Sequence, residues 1–356
     1  MSSACPSRSD GAGRRARVVL AEPMYHDAGE ILLRGRCELT VLHSPSAADI
    51  VAAAAGAHAL CARYPHRVDE RVLAAAPDLV VVACSGRGTD AIDIDAATRH
   101  GVAVVNNPGF GLRPVSESAI AMMLALAKRL LPSDAWMRRG QGWQHRSNFA
   151  EFVELEGKTL GIVGLGQIGS ETARKAIAAF GMKVLAYDPY VPVERAAALG
   201  VEMTSSLPAL LETADFVSMH PELTDETRGM IGEPQLRRMK PTAYLINTAR
   251  GKVVQQAALV RALSERWIAG AALDVYEDEP PAADNPLFAF DNLVLTPHVG
   301  GLSGEAVRGM SLSAATQMLQ ALAGERPTHL LNEAAWPRAS ERAARLGLAR
   351  QAIGTQ

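Results

Sequence analysis

The chain has 356 residues, 48% of them hydrophobic and 21% charged, which is ordinary for a globular protein long enough to form two domains. Lysine and arginine (36) nearly balance aspartate and glutamate (38), and the net charge of −2 gives no general attraction for nucleic acid or anionic membrane. The longest apolar run, residues 119–127, is too short to span a bilayer. These values exclude a strongly basic nucleic-acid binder and an integral membrane protein.

The termini and the cysteines predict a cytoplasmic protein. Residues 1–15 are rich in Ser, Gly and Arg without the apolar core of a secretory signal, so we predict a tail there. Cys5, Cys37, Cys61 and Cys84 show no CxxC spacing, which indicates free thiols in a reducing compartment and no metal site. At the other end, residues 340–356 could form a short surface helix or a frayed tail. We favour a tail over residues 337–356.

Short apolar runs alternate with alanine-rich stretches of helical length. The predicted strands cover residues 17–21, 37–42, 59–63, 79–84, 102–106, 159–163, 183–187, 216–219, 243–247, 270–275 and 293–296. Long helices are predicted over 114–131 and 304–322. Such alternation predicts parallel sheets with right-handed crossovers. Turn-rich breaks at residues 107–111 and at Gly300-Gly301 divide the chain into two α/β domains.

A glycine-rich turn lies between a predicted strand and a predicted helix. The strand over 159–163 leads directly into Gly164-Leu165-Gly166-Gln167-Ile168-Gly169. In this GxGxxG pattern the first glycine permits a tight turn, the second lets the backbone approach a pyrophosphate, and the third lets helix and strand pack closely. The helix N-terminus then offers N–H groups to the phosphates. We predict a dinucleotide-binding domain of the Rossmann type.

Asp188 ends the next strand, about 20 residues after the glycines, where an acid accepts hydrogen bonds from the adenosine ribose. Its charge would repel the 2′-phosphate of NADP by roughly 3 kcal/mol per unit charge at about 5 Å. No Arg or Lys follows Asp188 before Arg195. The segment therefore predicts NAD as the cofactor.

Three later stretches place a reactive side chain just after a predicted strand: Asn247-Thr248-Ala249-Arg250-Gly251, Asp274 to Pro280, and Thr296-Pro297-His298. Ligands bind at the carboxyl ends of strands in doubly wound sheets, so Arg250, Glu279 and His298 are the candidate catalytic residues. An arginine can bind a carboxylate bidentately, and a histidine is the usual proton-transfer group near pH 7.

This set resembles the D-isomer-specific 2-hydroxyacid dehydrogenase family, which includes 3-phosphoglycerate dehydrogenase and hydroxypyruvate reductase. The matching elements are GLGQIG with Asp188, NTARG, ALDVYEDEP, TPHVGG and SGRGTDAIDIDAA. The resemblance covers the chain from about Arg17 to Trp336. It implies two doubly wound α/β domains. These are an NAD-binding Rossmann domain over 111–299 and a discontinuous flavodoxin-like substrate domain over 16–110 plus 300–336.

The resemblance also implies a reaction, the NAD-dependent interconversion of a D-2-hydroxy acid and its 2-keto acid. His298 would be the acid/base, Glu279 would pair with it and raise its pKa, and Arg250 would bind the substrate carboxylate. The implied substrate-binding residues are Arg63, Ser85, Gly86, Arg87 and Arg250. The implied cofactor-binding residues are Gly164, Gly166, Gln167, Ile168, Asp188, Thr248, Ala249 and Asp274. Because family members dimerise through the cofactor domain, a homodimer is expected through residues 114–131 and 136–143.

The chain departs from the family pattern at several positions. The usual Gly-Val-Gly reads Gly86-Arg87-Gly88, whose added positive charge would favour a dianionic or phosphorylated substrate. The proline of the adenine wall is displaced to Pro221, directly after His220, and Ser118 replaces a common histidine. Two alternatives stay open: phosphite oxidation on the same scaffold, and an NAD-sensing corepressor that uses the fold as a binding switch. Glu279 argues against formate oxidation, for which the family usually has Gln.

Overall fold

The computed structural model describes residues 15–144, 146 and 152–348, which divide into two compact units. The first unit contains the chain up to Phe110 and again from Gly304, and the second contains Gly111–Ser303. Cys5, residues 1–14 of the first predicted tail and residues 349–356 of the second lie outside the described residues.

Strands and helices alternate along both units. The strands are β1 Arg17–Leu20, β2 Glu38–Val41, β3 Ala59–Ala62, β4 Val81–Cys84, β5 Ala103–Val105, β6 Thr159–Val163, β7 Lys183–Tyr187, β8 Glu202–Met203, β9 Phe216–Met219, β10 Tyr244–Asn247, β11 Gly270–Leu273 and β12 Leu293–Leu295. The helices are α1 Asp27–Arg36, α2 Ala47–Ala54, α3 Glu70–Ala75, α4 Ile94–His100, α5 Leu112–Ala127, α6 Leu130–Arg138, α7 Gln167–Phe180, α8 Val193–Ala197, α9 Leu207–Thr213, α10 Glu233–Leu236, α11 Gln256–Ser264, α12 Gly304–Leu322 and α13 Trp336–Arg345. No helix within the described ranges is long and apolar enough to cross a membrane.

The first unit is built on a parallel five-stranded sheet with the order β2-β1-β3-β4-β5. This is the flavodoxin-like order, in which the direction of winding reverses between β1 and β3. Strands β3 and β4 are buried along their whole length, because helices cover both faces of the sheet. Cys37, Cys61 and Cys84 are buried free thiols in this unit, and burial raises the pKa of Cys61 to about 12.

The second unit is built on a parallel seven-stranded sheet with the order β12-β11-β10-β9-β6-β7-β8. Strand β6 lies between β9 and β7, which is the Rossmann arrangement with one further strand. The predicted α/β class, with a Rossmann and a flavodoxin-like sheet, is confirmed.

The long helix predicted over 114–131 is wrong in one respect, because two helices occupy this stretch. Helix α5 ends at Ala127, and Arg129 takes a left-handed conformation (φ 46°) before α6 begins at Leu130. The two helices have different environments. Helix α5 packs against α7 and buries seven residues in the second unit, whereas α6 buries none.

The tail predicted over 337–356 is also wrong for its described part, because residues 336–345 form α13. The cause is Arg342, whose half-buried guanidinium donates hydrogen bonds to the carbonyl oxygens of Leu79, His100 and Gly101. The last two of these carbonyls lie at the C-terminus of α4, where a cation is favourable. Burial, with smaller contributions from Arg338 and Arg345, lowers the pKa of Arg342.

We expect Arg342→Met to lower the free energy of unfolding by about 2–4 kcal/mol, because methionine keeps the apolar stem but leaves carbonyl groups without their charged donor. Urea unfolding followed by circular dichroism measures this. Arg345→Met is the matched control. Arg345 is exposed, and its ion pair with Asp78 has an N–O distance of 3.6 Å, so we expect this variant to lose less than about 1 kcal/mol of unfolding free energy. Equal losses in the two variants would show that Arg342 does not anchor α13.

Candidate active site

The glycine-rich turn after β6 has the shape that a pyrophosphate needs. Gly164 has φ +89°, and a Cβ there would lie 2.7 Å from the backbone nitrogen of Pro221. A Cβ on Gly169 would collide with the carbonyl oxygen of Gly164. Gly166 faces open space and precedes α7 without capping its first N–H groups, among them those of Gln167 and Ile168. An uncapped helix N-terminus beside an open glycine is where backbone can approach a phosphate.

Asp188 lies at the carboxyl end of β7, beside the glycine turn. Its carboxylate accepts hydrogen bonds from the N–H groups of Leu165 and Tyr190, each at 2.9 Å. A carboxylate has about four acceptor sites, so two stay available for ribose hydroxyls. The structure thus connects Asp188 to the glycine-rich turn through the Leu165 N–H.

Two further residues fit the cofactor. The Thr248 hydroxyl is buried and has no hydrogen-bond partner among the described residues, which suits a group that a ligand completes. His220 is partly buried beside the glycine turn, where desolvation lowers its pKa to about 4, and its Nε2 lies 2.9 Å from the Ser218 hydroxyl. The lowered pKa leaves this imidazole neutral near pH 7, so His220 is not a proton donor there.

Arg250 is held by the turn that follows β10. The Asn247 amide donates to the Arg250 carbonyl oxygen and accepts from the N–H of Ala249, both at 3.0 Å. At Gly251 any Cβ would collide with the carbonyl group of Tyr276, so the Arg250 turn packs directly on the loop after β11. This close approach brings the Arg250 turn against the loop that carries Glu279.

Glu279 and His298 form the predicted pair, with 2.8 Å between Glu279 Oε2 and His298 Nδ1. Glu279 Oε1 also accepts the N–H of Tyr276 at 3.0 Å, which fixes the carboxylate. Because a carboxylate only accepts, Nδ1 carries a proton, and Nε2 is left for proton exchange with a substrate. His298 itself has φ 56°, a left-handed conformation uncommon outside glycine.

The pair shifts both pKa values in the direction that favours an imidazolium. The hydrogen bond that His298 donates to Glu279 raises the pKa of His298, burial opposes this rise, and the Glu279 and Asp274 charges add to it. Burial raises the pKa of Glu279, but the hydrogen bonds to His298 and the Tyr276 N–H outweigh it, so that pKa is lowered. Arg250 lowers both values slightly.

Asp274 has a role that the sequence motif does not show. Its Oδ1 accepts the Thr296 hydroxyl at 2.6 Å and the N–H of Val299 at 2.9 Å, and its Oδ2 accepts the N–H of Gly300 at 2.9 Å. These three donors lie on both sides of His298. Ser118, which replaces a common family histidine, donates to the Gly300 carbonyl oxygen at 3.1 Å. Asp274 and Ser118 thus hold the loop that presents His298.

The predicted substrate residues of the first unit lie after β3 and β4. Ser85 is buried, its hydroxyl has no partner within the described part of the chain, and the neighbouring Arg87 is exposed. The Arg87 carbonyl oxygen accepts a hydrogen bond from the Asn106 amide at 2.8 Å. Arg63 does not point freely into solvent, since its guanidinium contacts Glu22 at 2.6 Å.

A dinucleotide-binding turn in the same unit as an arginine and a paired histidine and glutamate is typical of a nicotinamide-dependent oxidoreductase. Comparison with known proteins gives the family. The chain belongs to the D-isomer specific 2-hydroxyacid dehydrogenases, whose NAD-binding domain matches residues 120–300. The predicted family, enzyme class and nicotinamide dinucleotide cofactor are confirmed.

Similar proteins carry different names. Glyoxylate reductase of Thermofilum pendens is 41% identical over 86% of this chain and 92% of its own. D-3-phosphoglycerate dehydrogenase of Archaeoglobus fulgidus is 37% identical over 86% of this chain, which spans only 58% of that relative's length. Among solved structures, D-mandelate dehydrogenase of Rhodotorula graminis is 27% identical, with a TM-score of 0.81 over 90% of this chain and 98% of its own.

Proposed function

We propose that this protein interconverts a D-2-hydroxy acid and its 2-keto acid with NAD as the cofactor. The observation that carries the proposal is the 2.8 Å contact between Glu279 and His298, with Arg250 in the adjoining turn. A histidine held by a carboxylate is a proton-transfer group, and an arginine beside it is a carboxylate ligand. The match of both units to proteins named as reductases and dehydrogenases supports the proposal.

Each residue has a role in this reaction. The glycine turn and Asp188 would hold the dinucleotide, which when bound would supply or accept the hydride. Arg250 binds the substrate carboxylate and polarises the C2 oxygen. His298 Nε2 donates a proton to that oxygen during reduction and removes it during oxidation. Glu279 stabilises the imidazolium, and Asp188 favours NAD over NADP by repelling a 2′-phosphate.

The test is nicotinamide absorbance with purified protein and a panel of 2-keto acids, each with NADH and with NADPH. The panel contains glyoxylate, hydroxypyruvate, pyruvate, phenylpyruvate and 3-phosphohydroxypyruvate. We expect turnover with NADH and much less with NADPH. If NADH binds but none of the five acids is reduced, the proposal fails. That result would favour phosphite oxidation or a corepressor-type binding function.

The His298 pKa predicts the pH dependence of the reduction. Reduction needs the protonated imidazole, whose pKa is raised, so kcat/KM should stay high through pH 6.5 and fall above it. In Glu279→Gln the fall should move to lower pH, because the charge that stabilises the imidazolium is gone. Asp278→Asn, which removes an exposed neighbouring carboxylate, is the control and should leave the profile in place. A Glu279→Gln profile identical to the wild type would contradict the pairing.

We also propose a homodimer formed by the second unit. Helix α6 has no buried residue and exposes Leu130, Leu131 and Met137, and Trp143 beyond it is 72% exposed. Such a cluster of large apolar side chains is typical of a protein interface. We expect a dimer mass in light scattering and a monomer mass for Leu131→Asp/Met137→Asp. A monomer mass for the wild-type protein would refute the dimer.

A further inference from the structure

Two consecutive asparagines that follow β5 hold the turn after β4 from one side. The Asn107 side-chain amide donates to the Cys84 carbonyl oxygen at 2.7 Å, and the Asn107 backbone N–H donates to the Gly86 carbonyl oxygen at 3.0 Å. The Asn106 side-chain amide donates to the Arg87 carbonyl oxygen at 2.8 Å. Three carbonyl groups of this segment therefore face the asparagines.

The same hydrogen bonds fix the direction of the N–H groups in the turn. In a trans peptide the N–H of one residue points opposite to the carbonyl group of the residue before it. The N–H groups of Arg87 and Gly88 are therefore directed away from the asparagines. Successive N–H groups that point to one side form a concavity that binds anions. The neighbouring Ser85 hydroxyl is buried and has no hydrogen-bond partner among the described residues, so the turn also holds an unused polar group.

A buried glutamine of α12 holds the asparagines in place. Gln317 Nε2 donates to the Asn106 carbonyl oxygen at 2.9 Å and to Asn107 Oδ1 at 3.3 Å. Gln317 Oε1 accepts the backbone N–H of His329 at 2.8 Å. Asn107 is 1% exposed and Gln317 is 2% exposed, so this network lies away from solvent, where satisfied hydrogen bonds make a structure rigid. A chain of hydrogen bonds thus leads from α12 through the asparagines to the turn after β4.

We propose that Asn106, Asn107 and Gln317 are positioning residues that orient the turn after β4 for the carboxylate of the 2-keto acid. This inference rests on the proposed function and on the substrate-binding role that the family resemblance implies for the residues of that turn. The three side chains act without touching the substrate. They direct the carbonyl groups of the turn to one side, and the N–H groups are thereby directed to the other.

This positioning role has a kinetic signature that a purely structural role lacks. The substrate carboxylate keeps its charge while the hydride is transferred, so N–H groups bound to it stabilise the ground state and the transition state equally. Loss of such binding raises KM and leaves kcat unchanged. A variant that is only partly folded shows a different pattern, a lower kcat at an unchanged KM, because fewer molecules are active.

The experiment compares Gln317→Met with the wild type, because methionine has a similar length and no amide. With NADH and glyoxylate, KM should rise about tenfold, as expected when a charge-assisted hydrogen bond is weakened, and kcat should stay within about twofold. The dissociation constant of oxamate, a 2-keto acid analogue that is not reduced, should rise by the same factor in the complex with NADH. The dissociation constant of NADH itself should not change.

Gln320→Met is the matched control on the same helix. Gln320 lies about one turn after Gln317, and its Oε1 has no hydrogen-bond partner in the described part of the chain. The same chemical change at this position removes an amide from α12 without affecting the asparagines. Its KM for glyoxylate and its dissociation constant for oxamate should equal those of the wild type.

The outcomes separate this inference from the proposed function. If Gln317→Met changes KM and the oxamate dissociation constant by less than about twofold, or lowers kcat alone, the inference is overturned while the reaction stands. A wild type that reduces no 2-keto acid overturns both.

A second variant covers the case in which Gln317→Met does not fold. Asn106→Ala removes the amide that donates to the Arg87 carbonyl oxygen, at a position that is only partly buried. Because the Gly88 N–H is then no longer held in one direction, KM and the oxamate dissociation constant should rise about threefold or more. Wild-type values of both constants in Asn106→Ala would overturn the inference.

Discussion

Replacement of His298 by alanine should lower kcat for keto-acid reduction by about 10²–10⁴, or roughly 3–5 kcal/mol of transition-state stabilisation. The imidazole is the proposed proton donor to the C2 oxygen, and its Nδ1 is fixed by Glu279, so alanine removes both the donor and its pairing. The KM should change little, because Arg250 and not His298 is the proposed carboxylate ligand. Steady-state kinetics with the best acid of the panel measures both constants.

Two control measurements test whether the loss of kcat is specific to the His298 side chain. His43→Ala removes an exposed histidine of the first unit and should leave kcat unchanged. NADH binding to His298→Ala, followed by nicotinamide fluorescence, should match the wild type because the glycine turn is untouched. A loss below tenfold would contradict the acid/base role. If Arg250→Ala abolishes function in cells while His298→Ala does not, the corepressor-type alternative is favoured.

The strands that the sequence predicts best are neighbours in the middle of the second sheet. Strands β6, β7 and β9 were expected with the bounds that the structure has, because a short apolar run between glycine or polar residues has few other interpretations. Strand β8 was not predicted. It contains only Glu202 and Met203 and pairs with β7 at the sheet edge, so it has too few residues to show a pattern.

The errors at helix ends come from contacts that no local pattern contains. The helical pattern predicted over 114–131 continues past the break, and only the left-handed backbone at Arg129 ends α5. Alanines and arginines near residue 340 suit a tail as well as a helix. What makes α13 a helix is that Arg342 reaches the carbonyl oxygens of Leu79, His100 and Gly101, more than 200 residues away in sequence.

The catalytic site likewise contains residues that local sequence patterns reveal and contacts that they do not. Arg250, Glu279 and His298 could be proposed from sequence because each follows a strand within a recognisable motif. The contact of Glu22 with Arg63, 41 residues apart, could not, because many acids in the chain were equally available as its partner. Asp274 was predicted as a cofactor ligand from its family position alone. Its hydrogen bonds to the His298 loop became visible only with the coordinates.

Asp274→Asn should therefore lower kcat by about 10–100-fold, as expected when a catalytic group is misplaced by a fraction of an ångström. The aspartate oxygens accept two N–H groups and one hydroxyl, whereas the asparagine amide has a single oxygen. In either orientation of the amide, Val299 or Gly300 loses its acceptor. The left-handed conformation of His298 between these donors then relaxes, and the contact between His298 and Glu279 weakens.

The kinetic pattern of Asp274→Asn decides between the two roles for this residue. If Asp274 positions His298, the dissociation constant for NADH stays at the wild-type value. The fall of kcat/KM with pH then moves to lower pH, because a charge that raises the His298 pKa has been removed. If Asp274 binds the cofactor, the dissociation constant rises and the pH profile keeps its position. Asp284→Asn, which changes an exposed aspartate of the same unit, should leave both measurements unaltered. Asp274 is 3% exposed and accepts hydrogen bonds from Thr296, Val299 and Gly300, which lie around His298, so we expect the first pattern.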